Sequence, residues 1–196
     1  MDRIKSAYER ALEKVQQLER PSDKQRLEWK LLPEGQKLAG EYIKGESAPF
    51  SKIASAPPEH RPYLVKGMAG VLISNLQLPR TQATYLANTK MIEGLERLLK
   101  DKPKAKEHLS RVKYVSDQYW QFAMPQREQT RQQLKTQMEQ QVMEALSRQR
   151  GVKGPVQVQV ESLPEFQQQW MQISGQIDRQ YEQHLEENKK QLVEMV

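Results

Sequence analysis

Apolar residues recur at steps of three and four through most of this sequence, and charged or amide residues fill the positions between them. That period places the apolar side chains on one face of an α-helix. The widest face predicts a buried helix over 61–77, and narrower faces predict helices over 2–19, over 81–100 and after the turn at 100–104. The face in 61–77 consists of Val65, Met68, Ala69, Leu72, Ile73 and Leu76.

Proline, glycine and capping residues divide the first two thirds of the chain. Ser22 or Asp23 can cap the second predicted helix, and Pro33 is expected to kink or split it. The run GESAPFSKIASAPP (45–58) holds three prolines among small residues, so it predicts a loop. Residues 1–124 therefore predict a helical-bundle body that contains the loop 45–58.

Residues 125–196 predict a long helical arm at the C-terminus. Its apolar stripes are narrow, lie in Gln-rich sequence and have a coiled-coil-like spacing. Glycines break the pattern at 151–163, where three valines alternate with glutamine and predict one short strand-like segment near 155–160. At about 1.5 Å per residue, the two helical pieces would extend roughly 37 Å and 48 Å and could fold back on each other. The predicted fold class is all-α.

The formal net charge of +6 is unevenly distributed along the chain. Residues 57–124 carry 11 basic and 6 acidic side chains, a balance of +5, whereas residues 155–196 carry 3 basic and 7 acidic ones, a balance of −4. This split predicts that the tail folds onto the middle, in the same chain or in a partner. It fits a nucleic-acid-binding protein less well, because an acidic tail would compete with phosphate for the basic surface.

The composition also limits which chemical sites and which cellular location we expect. The absence of cysteine excludes disulfides, thiolate catalysis and cysteine-ligated metal sites. The opening MDRIKSAYERALEKV carries three acidic residues and no apolar stretch, so we expect no secretory signal. The most apolar window, 63–78, is too short and too polar to span a bilayer. We therefore expect a soluble, cytoplasmic protein without a transmembrane segment.

Four short motifs relate the chain to a known family. They are KSAYERALEKV (5–15), GQKLAGEYIKGE (35–46), KGMAGVLISNLQLPR (66–80) and GVKGPVQVQVE (151–161). In type and order they resemble a family of uncharacterised bacterial helical proteins, and the resemblance spans most of the chain. It implies a helical fold, and it brings no assigned activity, cofactor or catalytic residue.

Residue types that often carry chemistry are scattered along the sequence. His60, His108 and His184 lie in three segments without the spacing of metal ligands, so no metal site is predicted. Gly67 and Gly70 lack the context of a phosphate-binding loop and instead predict the close approach of two helices. The sequence predicts no catalytic residue, no cofactor and no small-molecule substrate, and hence a protein that is not an enzyme.

The narrow stripes of the arm predict a contact with another helix. We expect a non-enzymatic interaction or assembly protein that self-associates, as a homo-oligomer, or binds a helical protein partner through the arm. Trp170 is the expected anchor, because the residues beside it offer little other apolar cover. The predicted contact residues are Leu134, Met138, Val142, Trp170, Ile173, Ile177 and Tyr181.

A second prediction is a nucleic-acid-binding or ribosome-associated accessory protein. A cluster of basic residues around the turn 100–104 would contact phosphates, with Tyr114, Tyr119 or Trp120 as stacking partners. Turns are rich in charge for other reasons, so the helical interaction protein is the preferred prediction. The basic residues are Lys100, Lys102, Lys104, Lys106, Arg111 and Lys113.

Overall fold

The computed structural model describes residues 21–46, 48–148 and 159–196. The described residues form α-helices, so the predicted all-α fold is confirmed. The helix predicted over 2–19 lies outside the described residues. The helices are α1 (Asp23–Lys44), α2 (Pro49–Ser55), α3 (Arg61–Asn75), α4 (Gln82–Leu98), α5 (Pro103–Gln118), α6 (Met124–Arg148) and α7 (Pro164–Glu194), with a π turn (Tyr119–Ala123) and a 3₁₀ turn (Val160–Ser162).

Helix α1 begins and ends at residues that the sequence marks. The Ser22 hydroxyl accepts a hydrogen bond from the Gln25 backbone N–H, and the Gln25 side chain accepts one from the Ser22 N–H, which makes a capping box. Gly45 follows the last turn in a left-handed conformation with φ of 99°. Pro33 lies inside the helix, which is not split there.

The predicted loop 45–58 is wrong over its central part, where the chain forms α2. Pro49 occupies the first turn of this helix, where the missing N–H of proline removes no helical hydrogen bond. Ile53 lies one turn later and is buried, and the Phe50 ring meets the Tyr42 ring edge to face at 5.2 Å. The proline therefore starts a helix here, and two apolar side chains hold that helix against the protein.

Helices α1 and α3 cross with their backbones in contact. A Cβ added to Gly35 would lie 2.3 Å from the Leu64 carbonyl oxygen, and one added to Gly67 would lie 2.3 Å from the Leu32 carbonyl oxygen. The close approach predicted at Gly67 is confirmed. The prediction is wrong for Gly70, because nothing lies within 4 Å of a Cβ added there.

A single large hydrophobic cluster, the body core, comprises 23 buried apolar side chains among the described residues. Helix α3 lies at its centre, and Met68, Leu72 and Ile73 are at most 1% exposed. Helices α4 and α5 follow one another through a short turn and form an antiparallel hairpin. The buried Asn88 side chain joins them, since its amide donates to the Gln77 carbonyl and to the Ser116 hydroxyl. That polar group is satisfied inside the core.

Helices α6 and α7 run antiparallel. Arg127 near the start of α6 contacts Ser174, whereas Lys135, two turns later, reaches back to Glu161 before α7 begins. Four buried apolar side chains between the two helices form a separate hydrophobic group, the arm cluster: Leu134, Met138, Val160 and Phe166. The second half of α7 leaves this cluster and contributes Leu185 and Leu192 to the body core.

The strand-like segment predicted near 155–160 falls mainly on residues 155–158, which lie outside the described residues. At its described end the prediction is wrong, because Gln159 has no regular structure and Val160 begins the 3₁₀ turn. Val160 is fully buried in the arm cluster, so its apolar side chain packs without a sheet. Among the described helices, none combines the length and the apolar character needed to cross a membrane.

Candidate interaction surface

The arm cluster is small and only partly covered. Besides its four buried members, the side chains of Val142, Leu163, Trp170 and Ile173 pack against it while remaining partly exposed. Two methionines on the same helices, Met143 and Met171, are 47% and 68% exposed. Helices α6 and α7 thus form one layer with apolar surface left in contact with water.

The structure divides the seven predicted contact residues between two places. Five lie at the arm cluster, where Leu134 and Met138 are buried within the chain. The other two, Ile177 and Tyr181, pack against the body core instead, and the Tyr181 ring meets the Tyr119 ring edge to face at 5.3 Å. The side chains of the predicted set that keep exposed surface at the arm cluster are Val142, Trp170 and Ile173.

Between the two places lies a buried carboxylate with three partners, which we call the Asp178 clasp: Asp178, Arg80, Tyr119 and Arg127. Asp178 on α7 is 4% exposed. Its Oδ2 accepts hydrogen bonds from Arg80 Nε at 3.1 Å and Nη2 at 2.8 Å. Its Oδ1 accepts from Tyr119 Oη at 2.7 Å and from Arg127 Nη1 at 2.5 Å. One carboxylate therefore joins the α3–α4 connection, the π turn, α6 and α7.

The two arginines of the clasp differ in their surroundings. The Arg127 side chain is 13% exposed, and it also donates to the Ser174 carbonyl and lies 5.3 Å from the Trp170 ring centroid. The Arg80 side chain is 51% exposed and also pairs with Glu182 at the surface. The basic middle and the acidic tail of the sequence therefore do meet, within one chain.

Tyr119 is the phenol of the clasp and has no exposed surface. Burial raises the pKa of Tyr119, and its hydrogen bond to Asp178 raises it further, to about 12. The hydroxyl is therefore a donor at neutral pH. With two cations and this phenol, four hydrogen bonds saturate the carboxylate, which suits a structural role more than proton transfer.

Asp178 is not among the predicted site residues, although its position in the sequence carries a signal. Asp178 stands seven residues before Leu185, on the helix face that packs against the body core. A carboxylate buried on an apolar face is costly unless a cation or a hydrogen-bond donor pairs with it. The partners could not be identified from the sequence, because Arg127 and Arg80 are 51 and 98 residues away.

Three further polar contacts fasten the second half of α7 to the rest of the protein. The Asn188 Oδ1 accepts a hydrogen bond from His108 Nδ1 at 2.8 Å, and the Lys189 ammonium donates to the Leu76 carbonyl at the end of α3 at 3.0 Å. The Lys102 ammonium donates to the Met195 carbonyl. Each contact uses a group at a helix end or on a neighbouring helix, so the tail of α7 belongs to the body core.

The predicted basic residues fall on different sides of α5. Lys106 and Lys113 are two turns apart on the side toward α4, whereas Lys104 and Arg111 are two turns apart on the other side. Arg111 pairs with Glu107, while Lys102 holds the end of α7. Lys100 stands with Lys106 at the end of the α4–α5 hairpin.

The three predicted stacking partners also separate. Tyr119 is buried in the clasp and offers no face to a base. Tyr114 is 64% exposed. Trp120 is partly buried and stacks on the Tyr85 ring at 5.5 Å, and the Tyr85 hydroxyl donates to Asp117. This hydrogen bond, together with burial, raises the pKa of Tyr85.

The histidines lie in three separate places, at the start of α3, against Asn188 and beside Glu187. Within the described part of the chain, no three His, Asp or Glu side chains are grouped so as to hold a metal ion. A cleft of about 790 Å³ opens between α2 and α4, and the guanidinium of Arg97 covers the Phe50 ring at one side of it. Its carboxylates, Glu93 and Glu96, are exposed.

Comparison with known proteins identifies a family and nothing beyond it. Residues 50–194 match the family of unknown function designated DUF6657. The match contains two of the four motifs that carry the resemblance, at 66–80 and 151–161, and the bacterial source that the resemblance implies stays a prediction. No curated protein and no solved structure matches the chain. The match covers more than half of the sequence, and the chain therefore belongs to the family of unknown function DUF6657.

Proposed function

We propose that this chain is a non-enzymatic assembly protein that self-associates through its arm. The observation that carries the proposal is the single-layered α6–α7 hairpin, whose four buried side chains are flanked by the partly exposed Val142, Trp170 and Ile173. Helices with an apolar stripe are stable when a second layer covers it. A second copy supplies that layer, because two antiparallel hairpins complete a four-helix bundle of coiled-coil type.

Exposed methionines add apolar surface to both helices of the hairpin. Met143 and Met171 follow Val142 and Trp170 in sequence, on a different side of each helix from the arm cluster, and keep about half or more of their surface in water. Unbranched methionine side chains adapt to the irregular gaps of a helix–helix contact. Trp170 is the proposed anchor, since a large aromatic ring at the centre of an interface contributes more than the residues around it.

The non-enzymatic part of the proposal rests on the state of the carboxylates. A general base needs a free lone pair and a reachable proton. Asp178, the buried carboxylate of the described residues, has both oxygens engaged by arginine and tyrosine donors. Glu93 and Glu96 at the α2–α4 cleft are exposed to solvent and are not enclosed around a substrate.

Light scattering behind size exclusion tests self-association directly. We expect the molar mass of the purified chain to rise across the micromolar range, and Trp170→Ala to shift that rise to higher concentration. Gln169→Ala is the matched control, because Gln169 is its exposed neighbour on the same helix. A parent protein that stays monomeric throughout would refute self-association and leave a different helical protein as the partner.

Nucleic-acid binding is the second candidate, and one observation favours it. Lys106 and Lys113 share a side of α5 with Trp120, which stacks on Tyr85. Tyr114 is exposed beside Lys113. Cations along a groove together with aromatic faces are the features of single-strand binding sites. The acidic surface of α7 argues against it, so it ranks behind self-association.

A pair of double variants tests this second candidate. Lys106→Ala with Lys113→Ala should weaken binding of single-stranded RNA. The slope of log K against log salt concentration should also become shallower by roughly 0.7 for each lost phosphate contact. Lys104→Ala with Arg111→Ala removes equal charge from the opposite side and should have a smaller effect. If the parent protein does not retard RNA or DNA in a gel at low salt, the candidate is refuted.

The cytoplasmic location also stays a proposal, which fractionation of cells tests.

A further inference from the structure

The π turn between α5 and α6 contains one residue more than an α-helical turn. The Met124 N–H donates to the Tyr119 carbonyl, five residues earlier. Pro125 follows directly and has no N–H to donate to the Gln121 carbonyl. A proline at this position usually ends or kinks a helix, whereas α5 continues through the π turn into α6. The extra residue changes which face of α6 points toward α7.

The geometry of the clasp depends on that extra residue. Tyr119 and Arg127 are eight residues apart and both donate to the same atom, Asp178 Oδ1. In a regular α-helix, residues eight apart point about 80° away from each other around the axis. Absorbing one residue in the π turn makes the pair equivalent to residues seven apart, which leaves about 20° between them. The π turn therefore brings both donors to one oxygen.

From this alignment we infer that α6 has two rotational registers and that the Asp178 clasp selects the one that contains the π turn. With the clasp closed, Tyr119 and Arg127 hold the extra residue in the π turn. Without the carboxylate, nothing in the clasp opposes conversion of the π turn to α-helix. That conversion rotates α6 by about 100° relative to α5.

The rotation has a consequence for the arm cluster. Leu134 and Met138 are buried against Phe166 and Val160 in the closed register. A turn of about 100° moves these two side chains from the α7 side toward solvent. The clasp would then control how much apolar surface the arm offers to a second copy. This last step rests on the proposed self-association, whereas the two registers do not.

Pulsed electron paramagnetic resonance on dilute protein tests the registers. The chain has no cysteine, so Ser74→Cys on α3 and Gln140→Cys on α6, both exposed, give two specific spin-label sites. Apart from a labelled parent that keeps Pro125, all proteins carry Pro125→Ala, so that the proline cannot impose the π turn. The set is this background, the background with Asp178→Asn, and the background with Asp178→Asn and Gln121 deleted.

We expect the background to show the same distance distribution as the labelled parent that keeps Pro125. Asp178→Asn should shift or broaden it by roughly 8 Å, the movement of a group about 5 Å from the axis through 100°. Deleting Gln121, an exposed residue of the π turn, should restore the original distribution. The deletion removes the extra residue, so a regular α-helix then holds the closed register without the clasp.

Three results would overturn the inference. They are a shift caused by Pro125→Ala alone, an unchanged distribution after Asp178→Asn, and a failure of the deletion to restore the distance. If Asp178→Asn does not fold, Arg127→Gln replaces it, because it removes one donor from Oδ1 and leaves the carboxylate paired with Arg80. Circular dichroism confirms that each variant remains helical.

Light scattering on the same proteins separates this inference from the proposed function. We expect Asp178→Asn to self-associate at lower concentration than its background, and the Gln121 deletion to reverse that change. Monomers in every sample, with the distance changes present, would refute self-association and leave the two registers standing. Self-association without any distance change would refute the registers alone.

Discussion

The body core and the arm cluster are both built from helices with an apolar face, but they differ in how many side chains they bury. The body core buries 23 apolar side chains among the described residues, and the arm cluster buries four. Helix α3 has a wide apolar face that contacts α1, α4 and α7, whereas α6 has a narrow stripe that packs mainly on one side, against α7 and the 3₁₀ turn before it. The comparison teaches that the width of the stripe decides how many neighbours a helix needs.

Truncation of one leucine in each place is the strongest test of this comparison. Leu72→Ala in the body core should lower the free energy of unfolding by about 4 kcal/mol, because tightly packed neighbours cannot fill the cavity. Leu134→Ala in the arm cluster should cost about 2 kcal/mol, because a cluster open to solvent can collapse. Urea denaturation at low protein concentration measures both, and equal costs would show that the two regions are packed alike.

Removal of the clasp carboxylate tests the junction of the two regions. Asp178→Ala should cost about 3 kcal/mol, because it leaves the Arg127 guanidinium buried without its partner. Glu182→Ala is the matched control on the same helix, and it removes an exposed pair with Arg80 that is worth about 0.5 kcal/mol at most. If both variants unfold at the same urea concentration, the clasp does not stabilise the junction.

Ionisation of Tyr119 at alkaline pH gives a second test of the junction between the body core and the arm cluster. Its pKa of about 12 in the folded protein lies above the ordinary value of 10.0, so its stabilising effect is complete below pH 10 and is lost as the pH rises toward 12. The loss amounts to about 3 kcal/mol for a rise of two pKa units. We expect the stability difference between the parent and Tyr119→Phe to decrease over this range, as measured by urea denaturation at several pH values. A constant difference would contradict the raised pKa.

Local patterns in the sequence predicted most of the helices, because caps and apolar periods are local properties. Ser22, Gly45 and the face centred on Met68 each mark a feature that the structure contains. The prediction of a loop over 45–58 was wrong because it relied on three prolines and small residues and not on the two apolar side chains that anchor α2. The composition of a short segment does not reveal the neighbours that stabilise it.

The clasp could not be predicted, because its four residues come from distant parts of the chain. The charge imbalance did predict that the acidic tail meets the basic middle, and Arg80 paired with Asp178 is one such contact. The π turn had only an indirect signal in Pro125, which the pattern interprets as the end of a helix. A buried ion pair needs coordinates because its partners are chosen by the packing of the whole fold.

Alanine substitution of two glycines gives the test with the smallest expected changes in stability. Gly67→Ala places a Cβ 2.3 Å from the Leu32 carbonyl oxygen, so α1 and α3 must separate, and we expect a loss of about 2 kcal/mol. Gly175→Ala on α7 meets nothing within 4 Å, so the gain in helix propensity should stabilise the protein by about 0.8 kcal/mol. Thermal unfolding of the two variants should therefore move in opposite directions from the parent. A loss of stability in Gly175→Ala would mean that a second copy or another segment approaches α7 at that position, so the measurement is repeated at several concentrations to tell the two apart.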